Sequence, residues 1–213
     1  MTDKEATTAK LYQAFQKASG VTTDSRQVKP GQIFFALKGE HFDGNAYADQ
    51  ALVKGASLVV VDDPDLSGRE HHFFVDDSLV ALQSLARHHR KQLSATFIGI
   101  TGSNGKTTTK ELFHRVLSKK FKTAATAGNL NNHIWVPLTI LSLPANTEMA
   151  IIEMGANHQG EIAILCDIAM PEYGLITNIG KAHLEGFGGF EGVIRAKTEL
   201  YAFIRKTHGK IFI

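Results

Sequence analysis

The sequence is short of the features that stabilise small secreted domains or anchor a chain in a membrane. Cys166 is the only cysteine among 213 residues, which excludes a disulfide framework and favours a reducing compartment. No stretch reaches the roughly 18 consecutive apolar residues that a membrane-spanning helix needs, and the N-terminal MTDKEATTAK lacks the apolar centre of a secretory signal. These absences predict a soluble, cytoplasmic protein without a membrane span.

An excess of charge of either sign is also missing. Lysine and arginine number 23 against 21 aspartates and glutamates, a formal net charge of +2, and neither half of the chain is strongly basic. This balance argues against a nucleic-acid partner, because coating a polyanion needs a basic surface. Hydrophobic residues make up 43% and charged residues 21% of the chain, which is typical of a folded globular protein.

The first region, residues 1–93, has the pattern of a small α/β domain. Short apolar runs bounded by glycine, proline and aspartate are typical of strands, and apolar residues at helical spacing separate them. Strands are predicted in the segments QIFFALKG, SLVVV and HFFV. Helices are predicted at 4–18, 45–55 and 78–92.

The second region, residues 94–213, alternates between strand-like and helical segments more regularly. Strands are predicted at 96–100, 121–126, 148–153, 173–178 and 210–213. Helices are predicted at 105–120, 134–143, 160–169 and 190–207. This alternation indicates a parallel sheet with helices on both faces. Because nothing follows the last strand, we interpret the region as an incomplete domain.

The segment GITGSNGKTTTK at 99–110 carries the strongest chemical signal. It follows an apolar strand and opens a helix, so its glycines would let backbone N–H groups approach a phosphate. Lys106 can reach terminal phosphates and Thr107 can ligate magnesium. Strict P-loop spacing would place a glycine at Ile100, so the match is one residue out of register. The predicted phosphate-binding residues are Gly102, Ser103, Asn104, Gly105, Lys106, Thr107 and Thr108.

A phosphate loop alone does not separate kinases, GTPases, ATPases and ligases, but further segments narrow the choice. TGSNGKTTTKELFHRVL, AGNLNNHIWVPLTIL, IIEMGANHQGEI, NIGKAHLEGFG and RAKTEL together resemble the ATP-dependent Mur ligases. Upstream, DSRQVKPGQIFFALKGEHFDGNAYADQAL resembles the uridine-nucleotide-binding domain of that family. The resemblance covers nearly the whole chain. It implies a uridine-nucleotide-binding domain at 1–93, followed by part of a P-loop-type ATP-binding domain at 94–213.

The resemblance implies that ATP phosphorylates a substrate carboxylate and that an amine then attacks the acyl phosphate. GNLNN and EMGANHQGEI favour the family member that joins D-alanyl-D-alanine to UDP-N-acetylmuramoyl-tripeptide during peptidoglycan precursor synthesis. The resemblance also implies a monomer. The alternatives are the preceding tripeptide-forming ligase, a folate-type glutamate ligase and a non-catalytic nucleotide-sugar-binding fragment. Residues 1–213 by themselves are expected not to turn over.

The resemblance also implies roles for three residues that follow predicted strands or lie in the last helix. Glu153 would share a magnesium ion with Thr107, and His183 would bind a second ion. Lys197 would be carbamylated and bind metal through the carbamate, which makes Lys106, His183 and Lys197 the catalytic residues. Taken alone, Glu153 is equally typical of a solvated strand end, whereas His183 is more typical of an ordinary loop histidine and Lys197 of a solvated helix surface.

Two further places resemble substrate contacts of the family. Asn131 and Asn132 in GNLNN would lie near the substrate and the phosphates, with Asn132 preferred, although a plain turn role is the alternative. In the first domain, Ser25, Arg26 and the LKGEHFDGN loop resemble the uridine diphosphate site. An arginine can bind a diphosphate through two parallel hydrogen bonds, which suits Arg26 to that role.

Overall fold

The computed structural model describes residues 2–181 and 184–213 and divides the chain into two compact units, Met1–His89 and Arg90–Ile213. Both units contain a parallel sheet with helices, so the predicted α/β class is confirmed. The division falls four residues before the sequence boundary at 93/94. None of the helices that the structure describes has the length and apolar character needed to span a bilayer.

In its described residues the first unit contains three α-helices, a four-stranded parallel sheet and a short antiparallel pair. The helices are α1 (Asp3–Phe15), α2 (Ala48–Val53) and α3 (Ser78–Arg90). The parallel strands, in the spatial order β1-β2-β5-β6, are β1 (Val21–Thr22), β2 (Ile33–Phe35), β5 (Leu58–Val61) and β6 (His72–Phe74). The antiparallel pair is β3 (Lys38–Gly39) with β4 (Phe42–Asp43).

The central strands of the first sheet are buried on both faces, as expected when helices cover a parallel sheet. All three residues of β2 are buried, as are the last three of β5. One cluster of this core combines residues of β2, β5 and α2 with Ala36, which directly follows β2: Phe34, Ala36, Ala48, Ala51, Val59 and Val61. The sheet thereby fixes the positions of the loops that follow its strands.

The predicted QIFFALKG strand is shorter than expected, because the chain turns after Ala36. Gly44 packs so closely behind the turn that a Cβ there would lie 2.7 Å from the carbonyl oxygen of Leu37. Only glycine permits that approach, and the Gly44 N–H donates to the same oxygen. The strand therefore ends at Phe35, and part of the LKGEHFDGN segment forms the β3–β4 hairpin.

In residues 90–181 and 184–213 the second unit contains a five-stranded parallel sheet and five helices. Its strands are β7 (Thr96–Thr101), β8 (Thr123–Ala125), β9 (Met149–Glu153), β10 (Tyr173–Ile176) and β11 (Lys210–Phe212). Its helices are α4 (Lys106–Leu117), α5 (Trp135–Leu141), α6 (Glu161–Ala169), α7 (Leu184–Phe187) and α8 (Phe190–Lys206).

The strand order of the second sheet determines where a ligand can bind. The order is β11-β10-β7-β9-β8, so the chain builds β8 and β9 on one side of β7 and then β10 and β11 on the other. Ligands of such sheets bind beyond the carboxyl ends of the strands, at the point where the order reverses. Glu153 ends β9 and pairs with Ile100 near the end of β7, so its side chain belongs to that crevice.

Candidate functional site

The loop between β7 and α4 has the backbone of an anion-binding turn. Gly102 and Gly105 adopt φ angles of +145° and +77°, which L side chains rarely take. A Cβ at Gly102 would also collide with Oγ1 of Thr177. Ile100, which departs from strict P-loop spacing, is buried inside β7 and does not belong to the loop. The loop ends at the first turn of α4, where free N–H groups and the helix dipole favour a phosphate.

Lys106, the first residue of α4, folds back over this loop. Its Nζ donates to the carbonyl oxygens of Gly102 at 2.7 Å and Ser103 at 3.3 Å. Burial lowers the pKa of Lys106, and the negative charge of Glu153 opposes that shift. The ammonium group therefore lies where it can neutralise the charge of a phosphate held by the loop.

The segment after β10 anchors the other side of the loop. The backbone N–H of Asn104 donates to Oδ1 of Asn178 at 3.0 Å, and Thr177 Oγ1 donates to the Asn104 carbonyl at 2.6 Å. Ser103 Oγ accepts from the N–H of Gly180 at 2.9 Å. These contacts from the segment after β10 fix the backbone conformation of the loop that follows β7.

Thr107, Asn131 and Glu153 converge beside the phosphate loop. Oε1 of Glu153 accepts hydrogen bonds from Asn131 Nδ2 at 2.7 Å and from Thr107 Oγ1 at 3.2 Å. Glu153 is only 1% exposed, so the interpretation of this residue as a solvated strand end is wrong. Its other oxygen, Oε2, is buried without a hydrogen-bond partner among the described residues.

Lys197 lies on the buried face of α8 and is 3% exposed, so the interpretation as a solvated helix residue is wrong. Burial, and then the charge of Lys106, lower its pKa from 10.5 to about 8. The ammonium lies 5.3 Å from the centre of the Phe187 ring. The sequence contained a signal for this position, because Lys197 occupies the apolar stripe that Val193 and Leu200 define.

The described residues cover only part of the predicted metal site. His183 lies outside the described residues. The carbamate predicted on Lys197 is not supported, and the residue is described as an unmodified amine. In residues 2–181 and 184–213 no group of three histidine, cysteine or acidic side chains is arranged to hold a metal ion. Thr107 and Glu153 are the predicted metal ligands that the structure brings together.

Asn131 and Asn132 have different surroundings despite being neighbours. Asn131 contacts Glu153, and its carbonyl accepts from the N–H of Gly155 at 2.8 Å. Asn132 Oδ1 accepts from the N–H groups of Ile134 and Trp135, at 3.0 and 3.1 Å, where α5 begins. The turn role left open in the sequence thus describes Asn132, while Asn131 belongs to the carboxylate cluster.

The predicted uridine nucleotide residues line a cleft of about 600 Å³ in the first unit. Ser25 is buried, whereas Arg26 is exposed and pairs with Asp24 through two hydrogen bonds of 2.9 Å. The hydrogen bond from Arg26 holds the pKa of Asp24 well below its usual range. The aromatic rings of Phe42 and Tyr47 stack at 5.4 Å. The cleft is lined by Thr23, Asp24, Ser25, Arg26, Phe42, Tyr47, Gln50 and Lys54.

Asp62 anchors the hairpin that carries one wall of this cleft. Its Oδ1 accepts from Asn45 Nδ2 at 2.8 Å and pairs with Lys38 Nζ at 2.9 Å. Its Oδ2 accepts from the N–H of Ser78 at 3.0 Å. These hydrogen bonds and the charge of Lys38 lower the pKa of Asp62 although burial opposes them. The hairpin is therefore fixed to β5 through one carboxylate.

Sequence reasoning missed two lysines that the structure places at these sites. Lys54 lines the cleft and donates to the carbonyl of Ser25 at 2.8 Å. Lys110 is fully buried behind Glu153, with 3.7 Å between Nζ and Oε2. A sequence signal for Lys110 exists, since it lies three residues before Phe113 on the face of α4 that packs on the sheet.

Two protein families match the chain, and together they cover most of it. The family described as Mur ligase middle domain matches residues 100–213. The family described as Mur ligase family, catalytic domain, matches residues 17–90.

Curated relatives share one name. The UDP-N-acetylmuramoyl-tripeptide–D-alanyl-D-alanine ligase of Bacillus subtilis is 43% identical over 196 residues, covering 91% of this chain and 43% of the relative. The ligase of that name from Escherichia coli is 46% identical over 182 residues, covering 85% and 40%. The chain therefore spans less than half the length of these relatives.

Solved structures agree with the curated relatives. MurF from Acinetobacter baumannii superposes with a TM-score of 0.84 at 39% identity, covering 92% of this chain and 46% of that one. The MurF ligase of Thermotoga maritima, solved in complex with ADP, superposes with a TM-score of 0.82 at 36% identity, covering 89% and 44%.

Proposed function

Since this chain belongs to the Mur ligase family, we propose that it supplies the nucleotide-binding parts of a ligase joining D-alanyl-D-alanine to UDP-N-acetylmuramoyl-tripeptide with ATP. The shared name of the relatives supports the substrates. The phosphate loop, with Thr107 and Glu153 in hydrogen-bond contact beside it, carries the proposal. The product would serve peptidoglycan precursor synthesis in the cytoplasm.

In the proposed reaction the substrate carboxylate takes the terminal phosphoryl group of ATP, and the amine of the dipeptide then displaces phosphate. The protein's part is to position the reactants and neutralise charge. Backbone N–H groups of the 102–108 loop hold the phosphates and Lys106 compensates their charge, while Asn131 orients Glu153. Lys197 adds positive charge near Lys106.

Thr107 and Glu153 fit a magnesium ion. Oε1 of Glu153 and the hydroxyl of Thr107 lie 3.2 Å apart, and hydroxyl and carboxylate oxygens are ligands that magnesium prefers. When bound between these side chains and the nucleotide, magnesium would offset the negative charge that develops on the transferring phosphate. A second ion involving His183 remains a prediction.

We assign the cleft of the first unit to the uridine nucleotide. The stacked Phe42 and Tyr47 offer an aromatic face for a base, while Arg26 and Lys54 bring two cations to the same cleft for a diphosphate. For Arg26 to bind a diphosphate, its bidentate pair with Asp24 must open. Lys54 holds a backbone carbonyl instead of a carboxylate and is therefore the more available cation.

Calorimetry on the 213-residue chain tests this proposal against its alternatives. We expect UDP-N-acetylmuramoyl-tripeptide to bind at least about tenfold more tightly than the corresponding dipeptide, a difference of about 1.4 kcal/mol. Tighter binding of the dipeptide would favour the preceding, tripeptide-forming ligase. Absence of binding by either uridine nucleotide would favour a folate-type ligase, and nucleotide-sugar binding without any ADP binding would favour a non-catalytic module.

A further inference from the structure

Lys110 is a cation in the interior of the second unit whose position the proposed reaction does not explain. The residue is fully buried in α4, one helical turn after Lys106. Its Nζ donates to the carbonyl oxygen of Gly128 at 2.6 Å and lies 3.2 Å from Oε1 of Glu111. A buried ammonium is retained only where such partners surround it. Beyond its own helix, Lys110 contacts two structural elements, the end of β9 and the loop at 126–131.

The first of these elements is the end of β9. Nζ of Lys110 lies 3.7 Å from Oε2 of Glu153, the carboxylate oxygen that has no hydrogen bond among the described residues. The other oxygen, Oε1, accepts hydrogen bonds from Asn131 and Thr107. Lys110 therefore stands behind the carboxylate on the side away from its two hydrogen-bond donors.

The second element is the loop at 126–131, between β8 and α5. Nζ of Lys110 donates to the Gly128 carbonyl of this loop, and Thr126 Oγ1 of the loop accepts from the N–H of Glu153 at 3.0 Å. At the other end of the loop, the Asn131 carbonyl accepts from the N–H of Gly155. Three hydrogen bonds thereby fix the loop that places the Asn131 amide against Glu153, and Lys110 donates one of them.

We propose that Lys110 is a positioning residue for the magnesium-nucleotide site, because it fixes the Glu153 carboxylate and the 126–131 loop in one arrangement. The inference rests on the proposed function of that site. Without Lys110, the Gly128 carbonyl loses its donor and Glu153 loses the cation behind it. The carboxylate and the Asn131 amide then no longer share a fixed geometry.

The expected loss is confined to the part of the ADP affinity that depends on magnesium. Lys106 and the backbone N–H groups of the 102–108 loop bind phosphate without Glu153, so the affinity for ADP in EDTA should change little when Lys110 is altered. The gain in ADP affinity on adding magnesium depends on Glu153. Groups that orient metal ligands typically contribute about 10–100-fold to metal affinity.

Calorimetric titration of the 213-residue chain with ADP, in magnesium and in EDTA, measures this gain directly. Lys110→Met keeps most of the side-chain volume and removes the ammonium, and we expect it to reduce the magnesium-dependent gain at least about tenfold. The control is Lys119→Met, at an exposed lysine just beyond the same helix, which should leave the gain unchanged. An equal loss of affinity in magnesium and in EDTA would show a merely structural role and overturn the inference.

A double-mutant cycle tests whether Lys110 acts through Glu153. In a Glu153→Gln background, Lys110→Met should change the remaining magnesium-dependent gain by less than about twofold, because the two effects are not additive. A full tenfold effect in that background would contradict the inference. If Lys110→Met does not fold, Lys110→Arg, which keeps the cation, should retain the gain within about threefold. A folded Lys110→Arg chain without the gain would also overturn the inference.

The same titrations separate this inference from the function on which it rests. If the unaltered chain binds ADP with no gain from magnesium, the proposed function of the site fails and the role of Lys110 fails with it. If the unaltered chain shows the gain and Lys110→Met keeps it in full, only the role of Lys110 is wrong.

Discussion

Lys106 and Lys197 are two cations whose charges disfavour each other inside the second unit. Burial is the main cause of the lowered pKa in both lysines, and the charge of Lys106 lowers the pKa of Lys197 further. Such an arrangement is unfavourable without a ligand, because two cations are drawn from water without a full set of anions. A polyphosphate would supply the missing negative charge, so the unfavourable placement is consistent with a phosphate site.

Replacing Lys106 tests the phosphate contact itself. Lys106→Ala should weaken ADP binding about 10–100-fold, since hydrogen bonds to charged groups contribute about 1.5–3 kcal/mol. The loss should appear in magnesium and in EDTA alike, which distinguishes it from the effect expected at Lys110. Calorimetry on the unaltered chain, Lys106→Ala and the exposed control Lys119→Ala gives the comparison. A change below about threefold would remove the loop from the proposed site.

Replacing Lys197 tests whether the burial of its charged form destabilises the protein. Its pKa is about 8 in the fold against 10.5 ordinarily, so between those values the unfolded chain binds more protons. The stability of the unaltered protein should therefore rise with pH through this window, and the protonated amine should destabilise the fold below it. Lys197→Met should raise the free energy of unfolding at pH 7 by roughly 1–3 kcal/mol, and by less at pH 10.

Urea titrations of both proteins at pH 7 and pH 10 measure this difference. Lys206→Met, at the exposed end of the same helix, is the matched control and should show no such pH dependence. An equal stability difference for Lys197→Met at both pH values would contradict the assigned pKa shift.

The residues of the candidate site were predictable to the extent that strand ends reveal them. Thr107 follows the loop after β7 and Glu153 ends β9, and parallel strands bring their carboxyl ends to one edge. Lys110 was missed because its partners, Gly128 and Glu153, come from other segments of the chain. A lysine held by a backbone carbonyl leaves no mark in the sequence beyond its place on an apolar helix face.

At the scale of elements, α6 begins without a cap from its own segment. Gly160, at its N-terminal boundary, adopts a φ of +86° and has no side chain to accept the first N–H groups. Glu199 from α8 replaces the cap, since its two carboxylate oxygens accept from the N–H of Gly160 at 2.6 Å and of Ala163 at 2.9 Å. One carboxylate thus joins the start of α6 to the middle of α8.

We expect Glu199→Gln to destabilise the second unit by about 1–2 kcal/mol, because the amide loses the charge that complements the helix dipole. Urea denaturation measures the loss, and hydrogen exchange should show faster exchange of the first amides of α6. The control is Glu191→Gln, at an exposed glutamate in the first turn of α8, which should leave the exchange of the α6 amides unchanged. Unchanged exchange in α6 would contradict the capping role.

The elements themselves were predictable in proportion to their apolar pattern. Helix α8 was predicted at 190–207 and lies at Phe190–Lys206, and β9 was predicted at 148–153 and lies at Met149–Glu153. The β3–β4 hairpin was missed, because its residues are exposed and have no apolar alternation. Contacts distant in sequence, above all those of Asp62, decide its conformation.

At the scale of the whole molecule, each unit carries a candidate site built from its own residues. The aromatic cleft belongs to Met1–His89, and the phosphate loop with Glu153 belongs to Arg90–Ile213. Two of the three reactants of the proposed ligase, the uridine nucleotide and ATP, therefore have assigned residues. None of the residues assigned within the described chain is proposed to bind the incoming dipeptide.

Orienting the reacting groups accounts for about 7–11 kcal/mol of a well-positioned reaction, so a protein that binds two reactants without placing the third should not accelerate amide formation. The relatives named for the complete reaction are more than twice as long, since this chain spans 43% and 40% of them. We therefore expect residues 1–213 to bind UDP-N-acetylmuramoyl-tripeptide and ADP but to release no phosphate from ATP in response to D-alanyl-D-alanine. A phosphate-release assay with and without the dipeptide measures this, and dipeptide-dependent release would show that the assigned residues suffice for the whole reaction.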